Sequence, residues 1–208
     1  MDTKMYRNIL FFIVIAISNT GCPDKCINPE YHFEVEASIK PDNEAIKIGD
    51  TIFVESHFSE SLLDVETNMI IEYSNAKKIG SNIGFTNLDF YGNLNYNSIL
   101  DFSYVSISGQ IYNSKDIPLP NQVNQLTYEY ANNEYKLKIG IIPRKKGIYL
   151  LGLGNGLSLG RKNTKECDQA SFSITLSNTD QHLYLFEDVY GNLSEYDRQR
   201  SYCFRVVD

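Results

Sequence analysis

Residues 31–39 read Tyr-His-Phe-Glu-Val-Glu-Ala-Ser-Ile (YHFEVEASI), and this stretch decides the fold class. Apolar and polar side chains alternate along it, so the odd-numbered residues share one apolar face if the backbone is extended. This two-residue period is typical of a β-strand that buries one face in a core and leaves the other in water. The next four residues, Lys40-Pro41-Asp42-Asn43, supply turn chemistry. The sequence therefore predicts a half-buried strand that ends where this turn begins.

Short apolar runs of this kind recur along the rest of the chain, and no long helical pattern interrupts them. Two segments, ESLLDVE (60–66) and LSEYDRQR (193–200), favour a turn or two of helix. The pattern predicts an all-β chain, an antiparallel β-sandwich of about 8–10 strands, with residues 31–208 forming a single domain. The other strand-like runs are 46–56, 68–74, 83–90, 101–112, 135–141, 147–153, 170–176, 182–186 and 202–207.

One run changes its pattern part-way. In residues 101–112 the apolar positions switch parity between Tyr104 and Val105. Such a switch indicates either a β-bulge or a strand that is buried on both faces.

Two short motifs support an immunoglobulin-like version of the sandwich. Residues 46–54 (IKIGDTIFV) resemble the early strands of immunoglobulin-like domains in bacterial surface proteins, and residues 143–149 (PRKKGIY) resemble the turn into one of their late strands. The resemblance implies a fold and no activity, because such a sandwich carries many unrelated functions.

The N-terminus has the pattern of an export signal. Lys4 and Arg7 precede nine apolar residues, 9–17, which as a helix span about 14 Å and so fall well short of a membrane's ~30 Å hydrocarbon core. Thr20-Gly21-Cys22 then resembles the lipobox of bacterial lipoproteins. The resemblance implies a signal peptide over 1–21, acylation of Cys22, and a tether over 22–30. Cleavage after Ala16-Ile17-Ser18 is the alternative, and it would release a soluble protein.

The predicted anchor and the net charge limit where the protein is located and which partners it binds. Asp24 follows the cysteine closely and resembles the surface-export signals of Bacteroidetes-type lipoproteins, which implies the cell envelope and the outer membrane, on its surface or its periplasmic face. The whole chain carries a net charge of −7, and removal of Asp2, Lys4 and Arg7 brings it to −8. A chain this acidic without a basic stripe repels phosphate backbones, so we expect no nucleic-acid partner.

Four cysteines are present, and an oxidising compartment favours disulfides over metal ligands. If Cys22 is acylated, three thiols remain. Cys203 lies opposite the apolar face of its strand, where it faces a covering loop, so we expect a Cys167–Cys203 disulfide, with Cys26–Cys203 as the alternative. Cys22, Cys26 and His32 have poor spacing for zinc, and we expect no metal and no cofactor.

One catalytic motif occurs. Residues 156–160 (GLSLG) fit the G-x-S-x-G nucleophile elbow, and Asp168 and His182 follow Ser158 in hydrolase order. The elbow needs a helix directly after the serine, whereas the polar run 161–169 follows here, so a loop is the better interpretation. The three histidines, far apart in sequence, are expected on solvent faces, and we predict no enzymatic activity.

These observations favour a non-enzymatic, membrane-anchored exported lipoprotein that presents a β-sandwich surface to a protein partner. A carbohydrate-binding accessory lipoprotein is the alternative, since fifteen tyrosines offer rings for stacking on sugars. A soluble secreted hydrolase is the second alternative. Binding of glycans through an exposed tyrosine cluster would favour the first alternative over a protein partner.

Overall fold

The structure, a computed structural model, describes residues 29–88, 98–113, 123–161 and 168–208. Within these ranges the chain forms β-strands, a 3₁₀ turn and two short helices. The strands are β1 (Tyr31–Lys40), β2 (Ala45–Lys47), β3 (Ile52–Ser59), β4 (Ser61–Asp64), β5 (Met69–Glu72), β6 (Gly80–Asn87), β7 (Phe102–Ser108), β8 (Gln110–Tyr112), β9 (Val123–Thr127), β10 (Glu129–Ala131), β11 (Glu134–Pro143), β12 (Gly147–Leu153), β13 (Gly156–Ser158), β14 (Ala170–Leu176) and β15 (Ser201–Val207). The 3₁₀ turn spans Ser98–Asp101, and the helices are α1 (Tyr184–Tyr190) and α2 (Glu195–Arg198).

The strands form two layers. Layer A contains β10, β11, β3, β1 and β14 in that order, with β7 on the outer edge of β11 and the β4–β5 hairpin beside β1. Layer B contains β6, β12, β15 and β2, with β9 and β8 on the other side of β6. β13 joins the layers, because it pairs with both β14 and β6. The pairs β1–β14 and β15–β2 are parallel, and the other described pairs are antiparallel.

The predicted all-β, immunoglobulin-like sandwich is confirmed. Nine of the described strands have five or more residues, which agrees with the predicted strand number, and six shorter strands of three or four residues add to them. The apolar face predicted for β1 is buried, since Phe33 and Ile39 expose 1% and 0% of their surface. Side chains of layer A and layer B meet in one hydrophobic core, in which the ring of Phe102 packs 4.9 Å from that of Tyr149.

The two immunoglobulin-like motifs lie side by side. Residues 46–54 contain the end of β2, a turn and the start of β3, and the backbone N–H of Gly49 donates to the carbonyl oxygen of Pro143, 3.0 Å away. Gly49 has a φ of +86°, which a side chain would strain, so glycine is needed to close this turn.

The predicted bulge in residues 101–112 is present, two residues after the parity switch. The register between β7 and β11 shifts between Lys138 and Ile139, so that Ile107 has no direct partner. Val105 and Ile107 are about half exposed. The switch therefore marks an edge strand with apolar residues in solvent, and the doubly buried alternative is wrong.

Two local predictions were wrong, and one was right. Residues 182–186 were expected as a strand, yet α1 begins at Tyr184, because Leu183, Phe186 and Tyr190 have helical spacing and pack together on the outside of layer B. Residues 60–66 were expected to be helical but contain β4. Residues 193–200 do contain a helical turn, α2, which Ser194 caps by accepting the N–H of Asp197.

Candidate functional site: the charged outer face

The outward side chains of β1, β3 and β11 form a continuous polar surface across layer A. The register places Ser38 beside Glu55 and Glu55 beside Lys138, so that the polar surface crosses all three strands. Alternate residues of each strand point the same way, which fixes the membership of this surface. We call it the charged face, and it comprises Glu34, Glu36, Ser38, Lys40, Phe53, Glu55, His57, Glu134, Lys136 and Lys138.

Glu55 lies at the centre of the first of two ion-pair groups on this face. Its carboxylate accepts from Lys138 Nζ at 2.7 Å and from Lys40 Nζ at 3.2 Å. The hydrogen bond from Lys138, and then that from Lys40, lowers the pKa of Glu55 below its ordinary value. The ammonium of Lys138 also lies 4.9 Å from the centre of the Phe53 ring. Glu55 is therefore a carboxylate held between two cations at one end of the face.

Glu134 is the centre of the second group. Lys136 Nζ lies 2.7 Å from one of its oxygens and His57 Nε2 lies 3.1 Å from the other. Lys136, and then His57, lowers the pKa of Glu134. These side chains are partly exposed, so the pairs add little to stability.

A shallow groove of about 470 Å³ runs between the two groups. Ala37, Ser56 and Leu137 contribute to its lining together with the charged residues of β1 and β11. The hydroxyl of Ser56 donates to the carbonyl oxygen of Glu36 at 2.6 Å, which fixes the floor. The groove can hold one or two side chains of another protein, between carboxylates and ammonium groups that give orientation and specificity.

The serine of the G-x-S-x-G motif lies inside the fold. Ser158 ends β13 with 0% of its surface exposed, and its hydroxyl oxygen is 3.0 Å from the Tyr73 hydroxyl. It accepts the backbone N–H of Gly160 at 3.1 Å and lies 3.3 Å from the Lys77 carbonyl oxygen, to which it donates. Burial raises the pKa of Tyr73 to about 12, so this hydroxyl is neutral and acts as a hydrogen-bonding partner. A buried hydroxyl with these partners is structural.

The glycines of the motif also have packing reasons. A Cβ at Gly156 would lie 3.0 Å from the Phe172 Cβ and 3.2 Å from the Gly80 carbonyl oxygen. Gly160 has a φ of +98°, and a Cβ there would lie 2.7 Å from the Asp168 carbonyl oxygen. The corner between the layers therefore accounts for the spacing of the motif without catalysis.

The other two members of the hydrolase order are engaged elsewhere. The carboxylate of Asp168 is held by Arg161, whose Nε and Nη2 lie within 2.8 and 2.6 Å of its oxygens. His182 was expected on a solvent face but is mostly buried. Its ring packs edge-on against that of Tyr202, with 5.4 Å between the ring centres, and its Nε2 lies 3.7 Å from a carboxylate oxygen of Asp42. The structure pairs none of these groups with Ser158 Oγ.

Ser158→Ala is expected to lower the free energy of unfolding by about 1–2 kcal/mol, because the Gly160 N–H loses a buried acceptor. Urea unfolding measures this loss. Ser173→Ala, on the outer side of β14, is the matched control and should change stability by less than about 0.5 kcal/mol. Hydrolysis of a generic ester should be the same for all three proteins, and a drop specific to Ser158→Ala would restore the nucleophile interpretation.

Comparison of the chain with known proteins gives distant structural likenesses. No protein-family profile matches the sequence, and no curated protein matches it. The fold is similar to a type II cohesin dyad from the adaptor ScaA scaffoldin of Acetivibrio cellulolyticus, with a TM-score of 0.32 and 9% identity over 68% of this chain and 46% of that one. A type II cohesin domain from the cellulosome of the same organism has a TM-score of 0.27 and 9% identity over 68% and 84% of the two chains.

The CupB6 tip adhesin from Pseudomonas aeruginosa gives a TM-score of 0.18 and 14% identity over 74% of this chain and 44% of that one. The chain thus spans less than half of the cohesin dyad and of the adhesin. The sandwich architecture is evident from the strand pairing and the core described above.

Cys203 is the one cysteine within the described ranges. It is fully buried and forms no disulfide with another described residue, and burial raises its pKa to about 12. Leu183 and Leu185, on and beside α1, cover it on the outside of layer B, so the expected position opposite the main core is confirmed and the cover is a helix. Cys22, Cys26 and Cys167 lie outside the described residues, and the acylation and the disulfide stay predictions.

Three further observations on the described part of the chain bear on sugar, metal and membrane binding. Its exposed tyrosines Tyr112, Tyr184 and Tyr196 lie on three different elements, β8, α1 and α2. The same residue ranges contain no group of three His, Cys, Asp or Glu side chains arranged to hold a metal ion. None of the described helices has the length and hydropathy to cross a bilayer.

Sequence reasoning missed the charged face as a unit. Alternation predicts that Glu34 and Glu36 point outward together, and the same holds for Lys136 and Lys138. The pairing of β3 with both β1 and β11 brings these sets together, and this long-range pairing has no local signal in the sequence.

Proposed function

We propose that this protein is a non-enzymatic, lipid-anchored component of the cell envelope that binds a protein partner through the charged face. The observation that carries the proposal is the groove between the Glu55 and Glu134 groups, where partly exposed cations and carboxylates alternate across three rigid strands. Such alternation is suited to a partner of complementary charge, which it orients and selects.

The anchor is the second part of the proposal, and it is supported by the apolar run 9–17 and the lipobox-like Thr20-Gly21-Cys22. The proposed location is the outer membrane, facing either the surface or the periplasm. A tether over 22–30 then leads into β1, one of the three strands that carry the charged face.

Site-specific photo-cross-linking in intact cells tests the binding function. A benzoylphenylalanine placed at Glu36, His57 or Lys136 should give the same adduct with a second protein, because all three positions border the groove. Placed at Asp188 or Glu195, on the helices outside layer A, the same group should give no such adduct. Absence of adducts at the three groove positions, or equal adducts at all five, would remove the charged face as the binding surface.

A further inference from the structure

The β4–β5 hairpin adds three exposed aliphatic side chains to the same side of layer A. Leu63 and Ile70 lie directly opposite one another across the hairpin and expose 47% and 63% of their surface. Val65, two residues after Leu63, exposes 48%. Phe33 pairs with Asp64, so outward-pointing Leu63 is next to outward-pointing Glu34 of the charged face. We call Leu63, Val65 and Ile70 the hairpin patch.

The hairpin holds this patch in a fixed position. The buried carboxylate of Asp64 accepts the backbone N–H of His32 at 2.8 Å and the hydroxyl of Thr67 at 2.5 Å. The hydrogen bond from Thr67, and then that from His32, lowers the pKa of Asp64. On the inner side of the hairpin, Leu62 is buried and Ile71 packs against the core. The exposed apolar groups are thus pre-organised, which lowers the entropic cost of binding.

Carboxylates border the patch. Glu34, Glu36 and Glu72 are exposed, and within the described ranges none of them forms an ion pair with a lysine or arginine. Glu66 faces His32 Nδ1 at 3.3 Å. Arg161 reaches the carbonyl oxygen of Glu72, but its charge is balanced by Asp168.

Lys40 and Lys138 lie toward the other end of layer A, while Lys136, opposite His57, forms its ion pair with Glu134. Lys40 ends β1, far from the Glu34 end of that strand, and it shares Glu55 with Lys138. The surface around the hairpin patch is therefore an apolar centre with an acidic rim.

We infer that the hairpin patch anchors an extended segment of a partner protein in which aliphatic side chains alternate with lysine or arginine. The inference rests on the proposed function and assigns the chemistry of the partner at this end of the face. Exposed aliphatic groups inside a polar rim are typical of interaction sites, and the acidic rim selects a basic sequence. A second copy of this chain is the wrong occupant, because a two-fold contact through the patch would bring the acidic rims of the two copies together.

Two short synthetic peptides test this chemistry against the full purified chain, one alternating valine with lysine and the other valine with glutamate. Fluorescence anisotropy should detect binding of the lysine peptide and none of the glutamate peptide. The double variant Leu63→Thr/Ile70→Thr should lower the affinity for the lysine peptide by about tenfold or more, because it removes two apolar anchors. The matched variant Val105→Thr/Ile107→Thr makes the same kind of change in the edge strand β7 and should bind like the unaltered chain.

Equal binding of the two peptides, or equal loss in the two double variants, would overturn the inference. Sedimentation that shows a dimer abolished by Leu63→Thr/Ile70→Thr would assign the patch to a second copy and overturn it as well. All four positions are about half exposed, so both variants should keep the thermal stability of the unaltered chain. The inference and the proposed function can fail separately. If neither peptide binds but Glu36, His57 and Lys136 still give adducts in cells, only the inference is contradicted. If those adducts are missing, the proposed function is contradicted.

Discussion

Phe172→Ala is expected to lower the free energy of unfolding by about 3–5 kcal/mol, which is a large part of the 5–15 kcal/mol of a typical domain. The ring of Phe172 has no exposed surface and lies 5.3 Å from Phe33, 5.9 Å from Phe58 and 6.1 Å from Tyr73. Its β14 backbone pairs with β1 on one side and β13 on the other, so a cavity here weakens the corner that joins the two layers.

Urea unfolding measures this loss, and Phe53→Ala is the matched control. Phe53 is partly exposed on the charged face, with Lys138 Nζ 4.9 Å from its ring centre, so its removal should cost about 1 kcal/mol. A loss for Phe172→Ala no larger than that for Phe53→Ala would contradict the placement of the aromatic cluster at the centre of the core.

The strands of this core were predictable because burial leaves a two-residue period in the sequence. Phe33, Leu137 and Phe172 each occupy the apolar phase of a run identified from alternation, and all three are buried. The same period misled the prediction at Leu183 and Leu185, where two buried leucines two residues apart belong to the start of a helix. The packing partners that favour a helix there, on the outside of layer B, are distant in sequence.

The binding surface was less predictable than the core. Glu55 and Lys138 become neighbours because β3 pairs with β11, and Leu63 comes beside Glu34 because Phe33 pairs with Asp64. A one-residue change of either register would turn these side chains to the other face. Registers between distant strands are set by the global fit of the core, so the sequence indicates which residues point outward but not which ones meet.

The G-x-S-x-G motif shows that a short local pattern can also match a site that the surrounding fold does not form. Its spacing matches a catalytic elbow, while the structure uses Gly156 and Gly160 for close packing and Ser158 for internal hydrogen bonds. The absence of a helical pattern after Ser158 was the informative signal, because it reported the surrounding fold, whereas the five-residue motif alone did not.

Cys22→Ala is expected to abolish incorporation of a labelled fatty acid and to move the protein from the membrane fraction to the soluble fraction. The thiol of Cys22 is the proposed acceptor of the diacylglyceryl group, and without it no acyl chain is attached. Each buried CH₂ contributes about 0.8 kcal/mol, so one chain binds reversibly while two or three hold a protein firmly. We therefore expect nearly all of the Cys22→Ala protein to leave the membrane fraction.

Cys26→Ala is the matched control, since it removes a thiol four residues away and should leave both labelling and fractionation unchanged. The mass of the mature N-terminus separates the two cleavage sites, because lipobox processing begins the chain at an acylated Cys22, whereas cleavage after Ser18 begins it at an unmodified Asn19. Membrane fractionation of Cys22→Ala, or equal loss in both variants, would contradict the anchor. The test is independent of the charged face, because a soluble Cys22→Ala protein should still bind the lysine peptide, which contacts the hairpin patch and not the tether.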